Sequence, residues 1–402
     1  VIRRAISLGA DHAHPVLRRL SPQGPPDLFK YWRDRRSDLC DGRFIGWAGE
    51  FAHIRDLVLD FSKCRHARKP RAVIGDGSEF EHGHCEFERG CLQLEGLGTR
   101  FSYELPGHMA HWVDSLVDCR SVRIDVEHSD VFLAIARYEY ANLFHVLADL
   151  YYAFLVLRFL RIEPRSVTVL LMDRHPSCPL DAFVETMFGG VKRIDDLRGV
   201  HRFKNMIFSP LGHRSPMAAR FQKYPYLIED FARHTLRAFG LEPRRTRKVR
   251  RLTIVRRRDY DDRVECSGSP VRRRIVNEDA LIASVGRAFD GADVAGVRFE
   301  ELGVAAQLRC VSETDILVGM HGAGLAHALF LPANGGLLEL FPRYYSVVND
   351  HYYNIAYWRR LHYARWKNRS RRLELGGIAT YVPPREISRK LGRLVAAIEA
   401  HG

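Results

Sequence analysis

The sequence predicts an α/β protein of two tandem Rossmann-like domains whose sheet ends face a cleft, preceded by an irregular N-terminal extension. From about residue 130, β-branched apolar runs alternate with amphipathic stretches, the pattern of parallel sheets covered by helices. A polar, basic, Pro-containing stretch, Glu242–Arg250, interrupts that alternation and reads as an interdomain linker. After it, the run Thr314–Phe341 (TDILVGMHGAGLAHALFLPANGGLLELF) reads as buried strand, Gly-rich turn, short helix and second strand. The length of 402 residues also favours two domains. The expected boundaries are an extension over 1–125 that forms part of the first domain, the first domain proper over 126–243 and a second over 250–383. A C-terminal helix over 384–402 is expected to pack back on the first domain.

Residues 1–125 show no clear period, with short β segments expected near Cys91–Tyr103 and Ser121–Val126. The first domain is expected to run as strand Asp130–Ala136, helix Tyr140–Leu160, strand Ser166–Met172, helix Leu180–Phe188 and strand Asn205–Ser209. Helix Tyr226–Phe239 follows, with Gly240 as its C-cap. The second domain opens with strand Leu252–Arg256. Asn277 is a candidate N-cap for helix Glu278–Phe289, which has acidic residues in its first turn. Strand Val297–Glu300, helix Val304–Ser312, strand Ile316–Gly319, strand Leu337–Phe341, strand Leu361–Trp366 and the amphipathic helix Pro384–Glu399 complete the reading.

The net charge of +14 is mostly arginine, clustered at Arg244–Arg251, Arg256–Arg258 and Arg272–Arg274. Such an excess suits nucleic acid, a membrane surface or an anionic small ligand. No zinc-finger spacing, basic heptad helix or aromatic RNA-binding signature accompanies it, so no nucleic-acid partner is expected. Five of the 8 cysteines fall before residue 120 and none forms C-x-x-C. This spacing disfavours zinc and fits one or two disulfides in an oxidising lumen, with Cys85–Cys91 or Cys40–Cys64 as guesses. Asn368-Arg369-Ser370 is an N-glycosylation sequon. No run of 18 apolar residues is seen, so no transmembrane helix is expected, and the start at Val1 leaves room for an anchor upstream.

Three constellations carry chemistry. In the turn His321-Gly322-Ala323-Gly324-Leu325, glycines let backbone approach a ligand. The helix behind presents amides to an anion, a diphosphate being the natural occupant, and His321 and His327 flank the spot. Glu339, on the next strand, is placed to hold ribose hydroxyls. The arginines Arg256, Arg273 and Arg274 stand at strand or helix ends where guanidinium forks suit phosphate oxygens, whereas Arg257 and Arg272 read as solvated surface. In the first domain Asn142, His145 and Asp149 fall on one face of a helix. Asp149 is the candidate base or base-orienter with His145 beside it, and Glu139 is a second candidate. A hydrogen-bonded trio that locks the helix is the alternative. No Gly-x-Ser-x-Gly, Walker lysine or His-Glu-x-x-His motif occurs. Asp259, Asp261 and Asp262 lie in a charged loop and make no credible cation pair, so metal-free chemistry without a cofactor is expected.

The MHGAGL turn, the ALFLP and ELF segments, the strand-end arginine, RRIVNE (Arg273–Glu278) and the Asn-x-x-His-x-x-x-Asp helix together resemble the family 61 glycosyltransferases. The resemblance spans about residues 130–370. It implies a GT-B fold and an inverting transferase with a nucleotide-sugar donor in the C-terminal domain and an acceptor in the N-terminal one. It also implies a Golgi or endoplasmic reticulum lumen behind a type II anchor. ARYEYANLFHVLADLYYAF, Phe208–Gly212, Val255–Tyr260 and Cys85–Gly96 are most similar to the plant and algal N-glycan core β-1,2-xylosyltransferase branch. That branch uses UDP-xylose and an N-glycan acceptor. MHGAGLAHALFLPANGGLLELF and LHYARW are more similar to the EGF-domain O-GlcNAc transferase branch, which uses UDP-GlcNAc. An inactive carbohydrate- or nucleotide-binding module is a further alternative.

Overall fold

A computed structural model of the chain describes residues 27–66, 85–97, 110–119, 122–137, 139–209, 215–218, 226–257, 273–345 and 350–402. Tyr138, Gly212, Arg258, Asp259, Asp261, Asp262, Cys266 and Arg272 lie outside them. The chain divides into two compact units, Val1–Ala219 and Arg220–Gly402.

The first unit is built on a nine-stranded sheet. Val126–Ile135, Val167–Leu171 and Gly190–Arg193 lie side by side in parallel, and Val200–Phe208 pairs in parallel with the other edge of Val126–Ile135. Counted along the chain this is the order 3-2-1-4 of a doubly wound half-sheet, which reverses between Val126–Ile135 and Val200–Phe208. Phe51–Asp60 then extends the sheet antiparallel to Val200–Phe208, followed by Phe44–Trp47 and Arg36–Leu39. The expectation of an irregular extension is corrected here. These strands lack a clean two-residue alternation because much of Phe51–Asp60 is buried on both faces, and Asp56 breaks the run with a positive φ of 55°.

Helix Leu143–Leu160 is buried along most of its length, from Leu143 to Leu157, with His145 the partial exception. By length and composition it is apolar enough to cross a membrane, although His145, Asp149 and Arg158 interrupt the apolar run. Burial in the first unit's core accounts for that composition. Gly190–Arg193 escaped the sequence reading because it is a short edge strand without a fully buried residue.

The second unit carries a five-stranded parallel sheet in the order Asp293–Val297, Arg251–Val255, Ile316–Met320, Gly336–Phe341, His362–Lys367. Along the chain this is 2-1-3-4-5, with the reversal between Arg251–Val255 and Ile316–Met320. Leu252, Ile254, Val318, Leu338 and Leu340 are buried at its centre. Each such side chain contributes about 1.5–3 kcal/mol by leaving water. Ile387, Leu391, Leu394 and Ile398 of helix Pro384–Ala400 fill the same core. That helix therefore packs on the sheet of its own unit.

The stretch read as a linker is also tied into the second unit. Thr246 N donates to Ala333 O at 2.8 Å, and buried Asp315 accepts from Thr246 Oγ1, Arg250 N and Arg251 N at 2.8–3.0 Å. The compact units meet earlier in the chain, so helix Ile228–Ala238 belongs to the second. Asn368 of the sequon is 2% exposed and its amide donates to Ser370 O at 2.9 Å and Glu374 Oε1 at 2.5 Å. In the folded chain it is a structural amide, not a surface acceptor. Cys64 Sγ lies 3.1 Å from Cys91 Sγ, a proximity that differs from the guessed Cys40–Cys64; the Cys85 side chain of the other guess lies outside the described residues.

Candidate active site

Open α/β sheets bind ligands beyond the carboxyl ends of their strands where the strand order reverses. In the second unit that point lies between the ends of Arg251–Val255 and Ile316–Met320, whose next residues are Arg256-Arg257 and His321-Gly322. Successive residues of an extended chain point to opposite sides, and the two arginines diverge accordingly. Arg256 leans over Gly296 of the outer strand and is held by Glu278 at 2.9 Å and by Asp279. The Arg257 guanidinium lies over the Gly-rich turn, 3.1–3.4 Å from where a Cβ on Gly322 would stand. The sequence suggests Arg256 for phosphate binding and Arg257 for the surface; here Arg257, not Arg256, lies over the turn.

Gly322 has an extended backbone (φ 163°) that any residue adopts, so its need for glycine comes from Arg257. A Cβ on Gly319 would stand 2.9 Å from Leu325 and one on Gly324 3.3 Å from Val255, so the turn packs tightly onto the neighbouring strand. The expected short helix is a 3-10 helix, Ala323–Phe330, entered by Leu325 N donating to Gly322 O at 2.9 Å.

His321 is 2% exposed and stacks on Phe341 at 4.9 Å, with Tyr345 and Tyr352 on its other sides. Its Nδ1 lies 2.5 Å from Glu339 Oε1, and Tyr363 Oη donates to Glu339 Oε2 at 2.5 Å. Glu339 is thus buried beneath His321 with both oxygens engaged by protein, rather than presented to a ribose. Nδ1–H is directed at a carboxylate, which turns Nε2 to the opposite edge of the ring. Burial pushes the imidazole below its ordinary pKa; Glu339 opposes the shift, while Arg273 and Arg365 reinforce it. Arg365 Nε donates to Tyr363 Oη at 3.0 Å, and its guanidinium lies 4.8 Å from the Phe341 ring centre. Tyr363 and Arg365 were missed by the sequence reading, although H-Y-A-R-W carries the alternation that sets both on one face of the last strand.

Arg273 joins this group. It adopts a left-handed backbone (φ 64°), its N–H donates to Tyr344 Oη at 2.9 Å, and its guanidinium lies 5.2 Å from the Tyr345 ring centre. Arg274 and Asn277 are placed elsewhere. Arg274 pairs with Ala379 in a small three-stranded sheet. Asn277 makes no side-chain cap, because its amide exchanges hydrogen bonds with Val382 at 2.9 and 2.8 Å. His327 does not flank the turn's open side. It is 1% exposed and stacked on Phe299, with Nδ1 2.9 Å from Gly324 O and Nε2 3.0 Å from Gln307 Oε1. Burial lowers its pKa to about 4, so the neutral ring, with one N–H, donates to one of these oxygens at a time.

In the first unit, Asn142 caps helix Leu143–Leu160: its Oδ1 accepts from Phe144 N at 3.1 Å and its Nδ2 donates to Glu139 Oε2 at 2.7 Å. Glu139 Oε1 lies 3.5 Å from His145 Nε2, and both side chains keep some exposure, 16% and 21%. Burial lowers the His145 pKa to about 4. Asp149, one turn further on, is 1% exposed. Glu139, Asn142 and His145 therefore come together at the helix start, with Asp149 enclosed behind them. Nearby, sequence reasoning missed a buried network in which Arg137 binds Asp173 and Asp181, each at 2.6 Å. Burial alone would raise the Asp173 pKa; the adjacent Arg137 guanidinium instead draws it down to about 2.

Comparison with known proteins bears on this geometry. The family model described as Glycosyltransferase 61 matches residues 111–338. A beta-1,2-xylosyltransferase of Oryza sativa subsp. japonica is 26% identical over 58% of this chain and 48% of its own length. One of Arabidopsis thaliana is 24% identical over 58% of this chain and 50% of its own. An EGF domain-specific O-linked N-acetylglucosamine transferase of Drosophila melanogaster is 29% identical over 79% of this chain and 62% of its own. The chain spans about half the length of the two xylosyltransferases. Its mixed α/β architecture, with a doubly wound sheet in each unit, is consistent with a GT-B-like fold. The matched segment takes in the helix-start cluster, the diverging arginines and the Gly-rich turn, and by that match the chain belongs to the glycosyltransferase 61 family.

Proposed function

We propose that this glycosyltransferase moves xylose from UDP-xylose to the core β-mannose of an N-glycan, in β-1,2 linkage and with inversion. The observation that carries the donor half is the convergence of Arg257, His321 and the Gly322–Leu325 turn at the strand-order reversal of the second unit. In this reading the diphosphate lies against the turn amides. Arg257, Arg273 and His321 Nε2 neutralise the charge that develops on it as the sugar's C1–O bond breaks. Glu339 and Tyr363 hold His321 in place. The acceptor hydroxyl gives its proton to Glu139, which Asn142 and His145 orient, and Asp149 supports the helix from within. Arginines and backbone amides serve in place of a divalent cation, and the setting is the Golgi lumen.

The xylosyl choice is supported by the two plant relatives and by the Ala136–Phe154 segment. A second reading, an EGF-domain-type O-GlcNAc transferase using UDP-GlcNAc, is favoured by the Drosophila relative, which aligns over more of the chain. Incubation with UDP-xylose, UDP-GlcNAc and other UDP-sugars separates the readings. The acceptors are a GlcNAc-terminated N-glycan and a folded EGF domain, in EDTA and in manganese, read by mass. The first reading expects a pentose added to the N-glycan, undiminished by EDTA; a hexosamine added to the EGF domain would replace it. Glu139→Gln is expected to lower kcat by roughly 100- to 10,000-fold with UDP affinity kept. Normal turnover would remove Glu139 as the base.

A further inference from the structure

We propose that Cys64 and Cys91 are joined by a disulfide in the mature protein. Their Sγ atoms lie 3.1 Å apart in the core of the first unit, where Cys64 is 6% and Cys91 0% exposed. A disulfide needs about 2.05 Å between its sulfurs, so a small rotation of the side chains closes the gap. The backbone holds the two residues to one point. Asp60 N donates to Cys91 O at 2.8 Å, and Asp60 O lies 3.5 Å from Cys91 Sγ and 4.0 Å from Cys64 Sγ. On the far side Arg174 Nη2 donates to Cys64 O at 2.7 Å. The bond staples the small Cys64–His66 and Cys85–Phe87 ladder to strand Leu92–Leu94, which pairs with Phe51–Asp60.

In the oxidation the two thiols lose two protons and two electrons. The electrons reduce a disulfide carrier, such as an oxidised dithiol oxidoreductase or oxidised glutathione, which leaves as two thiols. Both sulfurs are shielded in the folded unit, so the bond forms before the core closes. A chain folded in an oxidising lumen carries it and one folded in a reducing cytosol does not. This inference stands apart from the sugar-transfer reading, since the linkage is present or absent whatever the donor.

Peptide mapping of protein secreted by cultured cells, alkylated before unfolding and digested with trypsin without reductant, tests the bond. Cleavage after Lys63, Arg65, Arg89 and Arg100 isolates Cys64-Arg65 and Gly90–Arg100. The expected product is these two joined, lighter than their sum by two hydrogens. Alkylation of both cysteines once unfolded, or linkage of either to another cysteine, overturns the proposal. Cys64→Ala and Cys91→Ala are each expected to lower the thermal midpoint by roughly 5–10 °C, and the double variant by no more than either alone. Additive losses would indicate two separately packed thiols and count against the bond.

Discussion

Two adjacent arginines illustrate how much turns on the direction of a single side chain. Arg256 ends a strand, the position from which a guanidinium usually reaches a phosphate, yet Glu278 and Asp279 hold it on the outer side. Arg257 lies over Gly322. Composition gives no way to tell them apart, and the alternation of an extended chain does so only once the neighbouring strands are known. Arg257→Ala is expected to weaken UDP binding by roughly 10- to 100-fold, the loss of one charge-assisted contact. Arg256→Ala is expected to leave UDP affinity nearly unchanged while lowering the thermal midpoint. Calorimetry on both variants checks this, and the opposite ranking would return Arg256 to the site. Glu339 carries the same lesson. A strand-end acid suggests a ribose partner, but Glu339 is buried and both its oxygens are taken up by His321 and Tyr363.

At the level of elements, the alternating strands and helices beyond residue 130 were legible because apolar runs such as Val167–Leu171 and Ile316–Met320 are interior strands with parallel neighbours on both sides. Phe51–Asp60 was not legible, since residues exposed at one point of its length are covered at the next. The partnership of His321 with Glu339 was also hidden, because it depends on the parallel pairing of Gly319 with Glu339 across two strands. Buried histidines give these elements a pH limit. His327 titrates near pH 4 when folded, against about 6.5 unfolded. Below the unfolded value the open chain takes up a proton that the folded chain refuses, so its contribution is intact above about pH 6.5 and is lost as pH falls toward 4. The cost is on the order of 3 kcal/mol for this group, and His145 acts in the same direction. Denaturant melts at pH 7 and 5 are expected to show about half of this loss, with a smaller difference in His327→Gln. A pH-independent midpoint would contradict the assignment.

For the whole molecule, membership in the glycosyltransferase 61 family and the strand-order reversal of the second unit are the two supports of the proposed donor site. Relatives of two named specificities match the chain at 24–29% identity, so the transfer assay, rather than likeness, decides the sugar and the acceptor. A crystal structure with UDP bound tests the central claim most directly. The diphosphate is expected within hydrogen-bond reach of the Arg257 guanidinium, His321 Nε2 and the backbone N–H groups at the start of Ala323–Phe330. UDP seated elsewhere, or those groups turned away from it, would contradict the account.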